Sequence, residues 1–167
     1  MAVHGMCRAS RVDDCGPGEP VFYDQQDITM DIQYKVNAPV DSSQFIQLLT
    51  ASTLGERRPV EDQECMAGAI AGSNLVVTAW DGEQLVGMAR SLTDFHYACY
   101  LSDLAVSQSC QRQGIGKRLL QVTQAQLGPR CKIILLAAPA ANEYYAKLGF
   151  TNNPRCWVLE RSVVIAE

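Results

Sequence analysis

The run CKIILLAA, Cys131–Ala138, is apolar almost without interruption, the pattern of a strand covered on both faces. Such a strand needs helices against its sheet, so the segments on either side of it set the architecture. Upstream, YACYLSDLAV (Tyr97–Val106) reads as another apolar strand of the same sheet. A loop with two glycines follows, then a helix running to Leu127 and stopped by Gly128-Pro129. Downstream, PAANEYYAKLGF is a short helix ending at Gly149, and CWVLER (Cys156–Arg161) reads as a final strand.

The N-terminal half fits the same plan. DIQYKVN alternates Ile32, Tyr34 and Val36 with polar neighbours, as a half-buried strand does. Asp41 or Ser42 suits the N-cap of a helix carrying Phe45, Ile46, Leu48 and Leu49. A second helix is expected over Pro59–Ala71, with Gly72 as its stop. Leu75–Trp80 and Leu85–Leu92 flank Asp81-Gly82, a hairpin signal. The predicted order is βααβββαβαβ, a mixed α/β sheet in one domain over residues 30–167. Residues 1–29, where Gly16, Pro17, Gly18 and Pro20 sit among scattered charges, show no sustained period and are expected to form a flexible extension.

Bulk properties narrow the function classes. A chain of 167 residues can bury one full core, and a net charge of −4 gives no broad attraction to nucleic acid or anionic membrane. No apolar run approaches the ~20 residues that span a bilayer. The start has no apolar core, and Asp13 and Asp14 are out of place in a transit peptide, so a cytoplasmic protein is expected. The seven cysteines are scattered with no C-x-x-C pair, and His4 and His96 are far apart, so neither a disulfide framework nor a metal site is expected.

The loop itself, SCQRQGIGKRLL (Ser109–Leu120), has the look of an anion site, and two known designs fail on it. A Walker A loop needs a glycine five residues before Gly116 and a Ser or Thr after Lys117; neither is present. A dinucleotide fingerprint needs a third glycine where Leu119 stands, and an acid ending the next strand, which KIILLAAP lacks. What remains is a strand end, two glycines that let backbone approach a ligand, and a helix start. The amides of Gln113, Gly114, Ile115, Gly116 and Lys117 would converge there with the positive end of the helix dipole, as a main-chain cradle for pyrophosphate. Arg112, Lys117 and Arg118 are placed to add charge. Ile115, Leu119 and Val122 form the stripe that faces the sheet.

LSDLAVSQSCQRQGIGKRLL, followed one strand later by ANEYYAKLGF, resembles the GNAT superfamily of acyl-CoA-dependent N-acyltransferases. The family's Gln/Arg-x-x-Gly-x-Gly/Ala loop is matched by Gln111, Gly114 and Gly116, its L-x-V strand ending by Leu104, Ala105 and Val106, and its late motif by Tyr144, Tyr145, Gly149 and Phe150. The resemblance implies acetyl-CoA as donor, with the loop on its pyrophosphate and the Leu104–Val106 backbone on the pantetheine arm. It implies a slot where that strand and the one beginning near Cys131 splay apart. It implies a small-molecule amine as acceptor and Tyr145 as proton donor to the departing thiolate, a task that suits a phenol protonated at neutral pH. A main-chain N–H near Leu104 or Ala105 would meet the oxyanion.

The base stays open. Many relatives carry a glutamate where this chain has Tyr100. Asp103 lies on the opposite face from Tyr100 in a regular strand, and a bulge would re-aim it. Glu56 belongs to the loop that often frames the acceptor in this family, and ordered water is the remaining alternative. Asn142 is placed either to bond the pantetheine or to cap its helix, and Ala138 stands where the family's commoner asparagine would be. A protein lysine or N-terminus as acceptor and a non-catalytic acyl-CoA-binding module are the competing readings. A homodimer is compatible with either.

Overall fold

The computed structural model describes residues 31–165. The expected extension over residues 1–29 lies outside them. The described chain folds as β1 (Ile32–Val36), α1 (Ser42–Ala51), α2 (Gln63–Ala71), β2 (Leu75–Asp81), β3 (Gln84–Thr93), β4 (Ala98–Val106), α3 (Ile115–Ala125), β5 (Lys132–Ile134) and α4 (Asn142–Lys147). The strands form one sheet in the order β1-β2-β3-β4-β5, antiparallel through β4 and parallel between β4 and β5. This is the mixed α/β architecture that the sequence patterning predicts.

Local chemistry explains most boundaries. Asp41 caps α1 by accepting from the Gln44 N–H at 2.8 Å, while the Gln44 side chain accepts from the Asp41 N–H, a reciprocal capping box. Helix α2 begins at Gln63 rather than at Pro59, because Asp62 takes the cap and accepts from the Cys65 N–H at 2.9 Å. Residues 59–62 turn instead, with the Asp62 N–H on the Pro59 carbonyl. Gly82 supplies the positive φ, +56°, of the β2–β3 turn.

Two apolar layers sandwich the sheet. On one face Ile115, Leu119 and Leu120 of α3 pack on Leu75, Val77, Ala89 and Leu101. On the other, Phe45, Leu48 and Leu49 of α1 and Met66 of α2 pack on Val76, Met88 and Ala105. Leu101 and Ala105 share odd numbers on one strand yet face opposite layers. The cause is a bulge: pairing with β3 passes from Leu101 opposite Ser91 to Asp103 opposite Arg90 and skips Ser102. One extra residue turns the rest of the strand over. Tyr100 before the bulge and Asp103 after it therefore share the α1/α2 face.

The C-terminal end differs from expectation. Strand β5 is confined to Lys132–Ile134, and Cys156–Arg161 forms no strand. A strand needs a paired edge and a face to bury, and here Trp157 is 94% exposed and Leu159 58%. Arg155 instead turns its N–H back onto the Asn153 side chain at 3.0 Å, and Pro154 offers no N–H to a ladder. With nothing beyond it, β5 leaves Ile134 half exposed, so its apolar run is not covered on both sides.

Candidate active site

Strands β4 and β5 pair only through Ala98–Lys132, Cys99–Ile133 and Tyr100–Ile134. From Leu101 to Val106, β4 therefore runs on with no strand at its outer edge. The divergence begins at the bulge. The Ser107 N–H donates to the Val86 carbonyl at 2.9 Å, which marks Val106 and Gly87 as a non-hydrogen-bonded pair. Val106 and, two residues earlier, Leu104 thus direct their N–H and C=O groups away from β3, into the opening; Ala105 directs its own toward β3. The Val106 carbonyl is already met by the Gln111 amide at 3.0 Å. Gln111 so pins the loop to the strand end, and Leu104 offers both of its backbone groups.

The loop after β4 reaches α3 through a short 3-10 turn, Gln108–Cys110. Arg112 and Gly114 both have positive φ, +63° and +82°. Gly114 is the N-cap of α3, and no side chain caps the helix. The amides of Ile115, Gly116 and Lys117 belong to its first turn, where no intrahelical acceptor exists. No acidic side chain occupies that turn. Positive helix-dipole potential and free donors thus meet at one exposed point. Arg112, Gln113 and Lys117 lie exposed around it. Arg118 turns instead toward Gln121, at 3.5 Å, and lowers the Tyr34 phenol pKa by its charge, against the larger upward effect of burial there.

Gly116 is needed for a second reason. A Cβ there would stand 2.9 Å from the Tyr144 hydroxyl. The phenol nearest the helix start is therefore Tyr144, on α4. The Tyr145 ring packs edge-on against Tyr144 and Phe150, with centroids 5.4 and 5.5 Å away, and against the core layer under α3. Burial pushes both phenols above their ordinary pKa, and for Tyr145 the neighbouring Tyr144 adds to the rise. Each stays a protonated donor through the neutral range. Asn142 opens α4, but its N-cap is Ala141 with no side-chain cap bond, so the Asn142 amide is not used as a cap.

The acidic candidates separate. Asp103 is 2% exposed, and both oxygens are held: Arg58 Nε lies 2.7 Å from Oδ1 and Arg90 Nε 2.5 Å from Oδ2. A carboxylate bound by two guanidiniums has no free lone pair directed at a substrate. Glu56 sits exposed in a 3-10 turn over Thr53–Arg57 that packs near β4. Tyr100 is 40% exposed. In the β3–β4 connection Asp94 accepts from the N–H groups of His96, Tyr97 and Ala98, which hold its pKa down to about 2. Phe95 packs against the core, and the Gly128 N–H bonds its carbonyl, so this stretch is a tied loop.

Arg58 and Arg90 were not anticipated from the sequence. The available signal was Asp103 itself, a carboxylate within an apolar strand, which must find a cation or leave the charge unpaired. Among the described residues no group of three or more potential metal ligands occurs, and no helix is long and apolar enough to cross a membrane.

A family model described as "Acetyltransferase (GNAT) domain" matches residues 50–156. Solved structures share the fold. A GNAT family acetyltransferase from Streptococcus pneumoniae is similar at 23% identity and TM-score 0.63, over 78% of this chain and 99% of its own. An aminoglycoside acetyltransferase from an uncultured soil metagenomic sample is similar at 22% and 0.57, over 80% and 97%. An aminoglycoside N-acetyltransferase in complex with CoA is similar at 15% and 0.59, over 79% and 95%.

Proposed function

Because the chain belongs to the family of GNAT acetyltransferase domains, we propose that it transfers an acetyl group from acetyl-CoA to the primary amine of a small molecule, by direct attack in a ternary complex. The observation that carries this reading is the uncapped start of α3, with Gly114 at φ +82°, beside the unpaired edge of β4 from Leu101 to Val106. One feature suits a pyrophosphate and the other an extended amide-bearing arm, and the two are joined by a short loop. Acetyl-CoA bound there would supply an activated acyl carbon and a thiolate leaving group.

The chain's own residues then divide the work. The first-turn amides of α3 hold the diphosphate, with Arg112 and Lys117 adding charge. Leu104 pairs its backbone with the arm and directs its N–H to the oxyanion, where a fixed dipole needs no reorganisation. Tyr145 donates the proton to the leaving thiolate; Tyr144, whose hydroxyl lies against Gly116, is the second candidate. Asp103 has no role in proton transfer, since its oxygens are occupied. Glu56 or ordered water deprotonates the amine. Asn142 bonds the arm from the start of α4. The domain extends over residues 30–167 with residues 1–29 as an appendage, and its setting is the cytoplasm.

Aminoglycoside acetyltransferases among the similar folds favour a soluble polyamine in the first screen. The test is thiol release from acetyl-CoA with a panel of small amines, lysine peptides and a free N-terminal peptide. Turnover restricted to small amines supports the proposal. Turnover with peptides alone would move the acceptor to protein, and donor binding without any turnover would leave a non-catalytic acyl-CoA module.

A further inference from the structure

The β4 bulge is held by groups from three other elements. Ser102, the residue the ladder skips, has a carbonyl that needs a partner outside the sheet. Arg58 Nη2 supplies it at 2.9 Å, while its Nε takes Asp103 Oδ1 at 2.7 Å. Arg90 Nη2 takes the Ser102 hydroxyl at 2.6 Å, and Nη1 reaches the Ala69 carbonyl and the Ser73 hydroxyl at the end of α2, at 3.0 and 2.9 Å. The guanidinium of Arg90 also stacks over the Phe45 ring of α1, 5.6 Å from its centroid.

The segment that delivers Arg58 is itself stiff. Ser52 Oγ accepts from the Leu54 N–H at 3.3 Å, and the Arg58 N–H bonds the Gly55 carbonyl at 3.3 Å. Gly55 packs so closely that a Cβ would stand 2.6 Å from the Leu49 carbonyl oxygen. Glu56 and Arg57 therefore move with Arg58. The two elements that Arg58 joins are this segment and the strand whose Leu104 faces the opening two residues past the bulge.

We infer that Arg58 is a positioning residue for acyl transfer, locking the loop over residues 53–62 and the β4 bulge into one unit so that the acceptor side of the slot is fixed against its donor side. This rests on the acetyltransferase reading above. Arg90 is the packing hub of the cluster at 7% exposure, whereas the Arg58 side chain is 28% exposed and can be changed without opening the core. A bulge released from its clamp can relax its register, and one residue of slip turns Asp103–Val106 to the other face. Loss of Arg58 therefore misplaces the Leu104 N–H and Glu56 together.

The test compares the full chain with Arg58→Met and Arg58→Lys in two measurements. In hydrogen exchange without substrate, Arg58→Met is expected to lose protection in residues 53–62 and 101–106 together. In steady-state transfer, kcat falls by up to about 100-fold, as misplacements near 1 Å do, with the acetyl-CoA dissociation constant unchanged to within about twofold. Arg58→Lys recovers part of kcat, since an ammonium keeps the charge without the planar fork. Protection lost in 53–62 alone, or an unchanged kcat, overturns the inference. If the wild type turns over no amine, the acetyltransferase reading fails, and the exchange pattern still decides whether Arg58 joins the two segments. If Arg58→Met loses protection throughout, Arg58→Lys carries the same comparison, and a lysine variant with wild-type exchange and kcat overturns the role for the fork.

Discussion

Arg58, from the loop between the first two helices, places its Nε 2.7 Å from Oδ1 of Asp103 on the central strand. Arg90 takes the other oxygen, so a carboxylate that is 2% exposed carries a double ion pair in the sheet interior. Removing one partner of a buried pair leaves its mates unpaired at a cost near ~3–5 kcal/mol, while a pair's net contribution against an apolar replacement is often nil. Asp103→Ala is expected to lose stability on that scale in urea unfolding. Asp103→Asn, which keeps the shape and an acceptor oxygen, should lose less. A wild-type midpoint for Asp103→Ala would show that the guanidiniums find other partners.

The two tyrosines of α4 separate on substitution to phenylalanine. If Tyr145 gives the proton to the thiolate, Tyr145→Phe slows turnover on the order of 10²-fold with donor affinity little changed. Tyr144→Phe then leaves turnover near wild type. The opposite ranking would transfer the role to Tyr144, whose hydroxyl lies beside Gly116.

Gly116 and Tyr144 form a testable couple. Gly116→Ala sets a methyl 2.9 Å from the Tyr144 hydroxyl, so it should weaken acetyl-CoA binding and lower stability together. Removing the hydroxyl with Tyr144→Phe makes room, and the double variant should lose less than the sum of the singles. Strict additivity would contradict the contact. Gly114→Ala acts by another route: at φ +82° an L residue costs about 1–2 kcal/mol, with no atom within 4 Å to clash.

The buried phenols set an alkaline limit. Folding raises the pKa of Tyr144 and Tyr145 through burial, so above the unfolded value near 10 the unfolded chain releases protons that the native chain keeps. Stability is full below that pH and falls as pH rises through the folded values. Tyr145→Phe should flatten this decline in chemical denaturation series run from neutral to alkaline pH; an unchanged slope would remove Tyr145 from its cause.

Asp94 marks an acid limit of opposite sign. Three backbone donors hold its carboxyl at about 2, below an ordinary aspartate, so its contribution is present above the unfolded value and is lost as pH falls through about 2. Carbon-detected NMR titration should place the Asp94 carboxyl near 2. A midpoint in the ordinary aspartate range would mean that the turn does not hold it.

Most of the sheet was legible because its signals are local. The capping box at Asp41, the Asp81-Gly82 turn and the stripe on Ile115 and Leu119 each need only a few neighbouring residues to act. The strand–loop–helix unit was legible for the same reason, with Gly114 taking the left-handed conformation its place demands. Three features were not local. The Ser102 bulge depends on how β3 registers with β4, and it puts Tyr100 and Asp103 on one face. The partners of Asp103 come from 45 and 13 residues away. The approach of Tyr144 to Gly116 depends on where α4 lands, which spacing does not encode. The segment Cys156–Arg161 shows the converse limit: β-prone residues form no strand where the chain provides no paired edge.

The most direct measurement is a calorimetric titration of the full chain with acetyl-CoA, with free CoA and ATP titrated in parallel. Saturable micromolar binding of both CoA species and none of ATP is the expected result, since the arm along Leu104 and the pyrophosphate at α3 are needed together. Absence of acetyl-CoA binding by a folded sample, or ATP binding as tight, would contradict the assignment of the α3 loop and of the β4 edge.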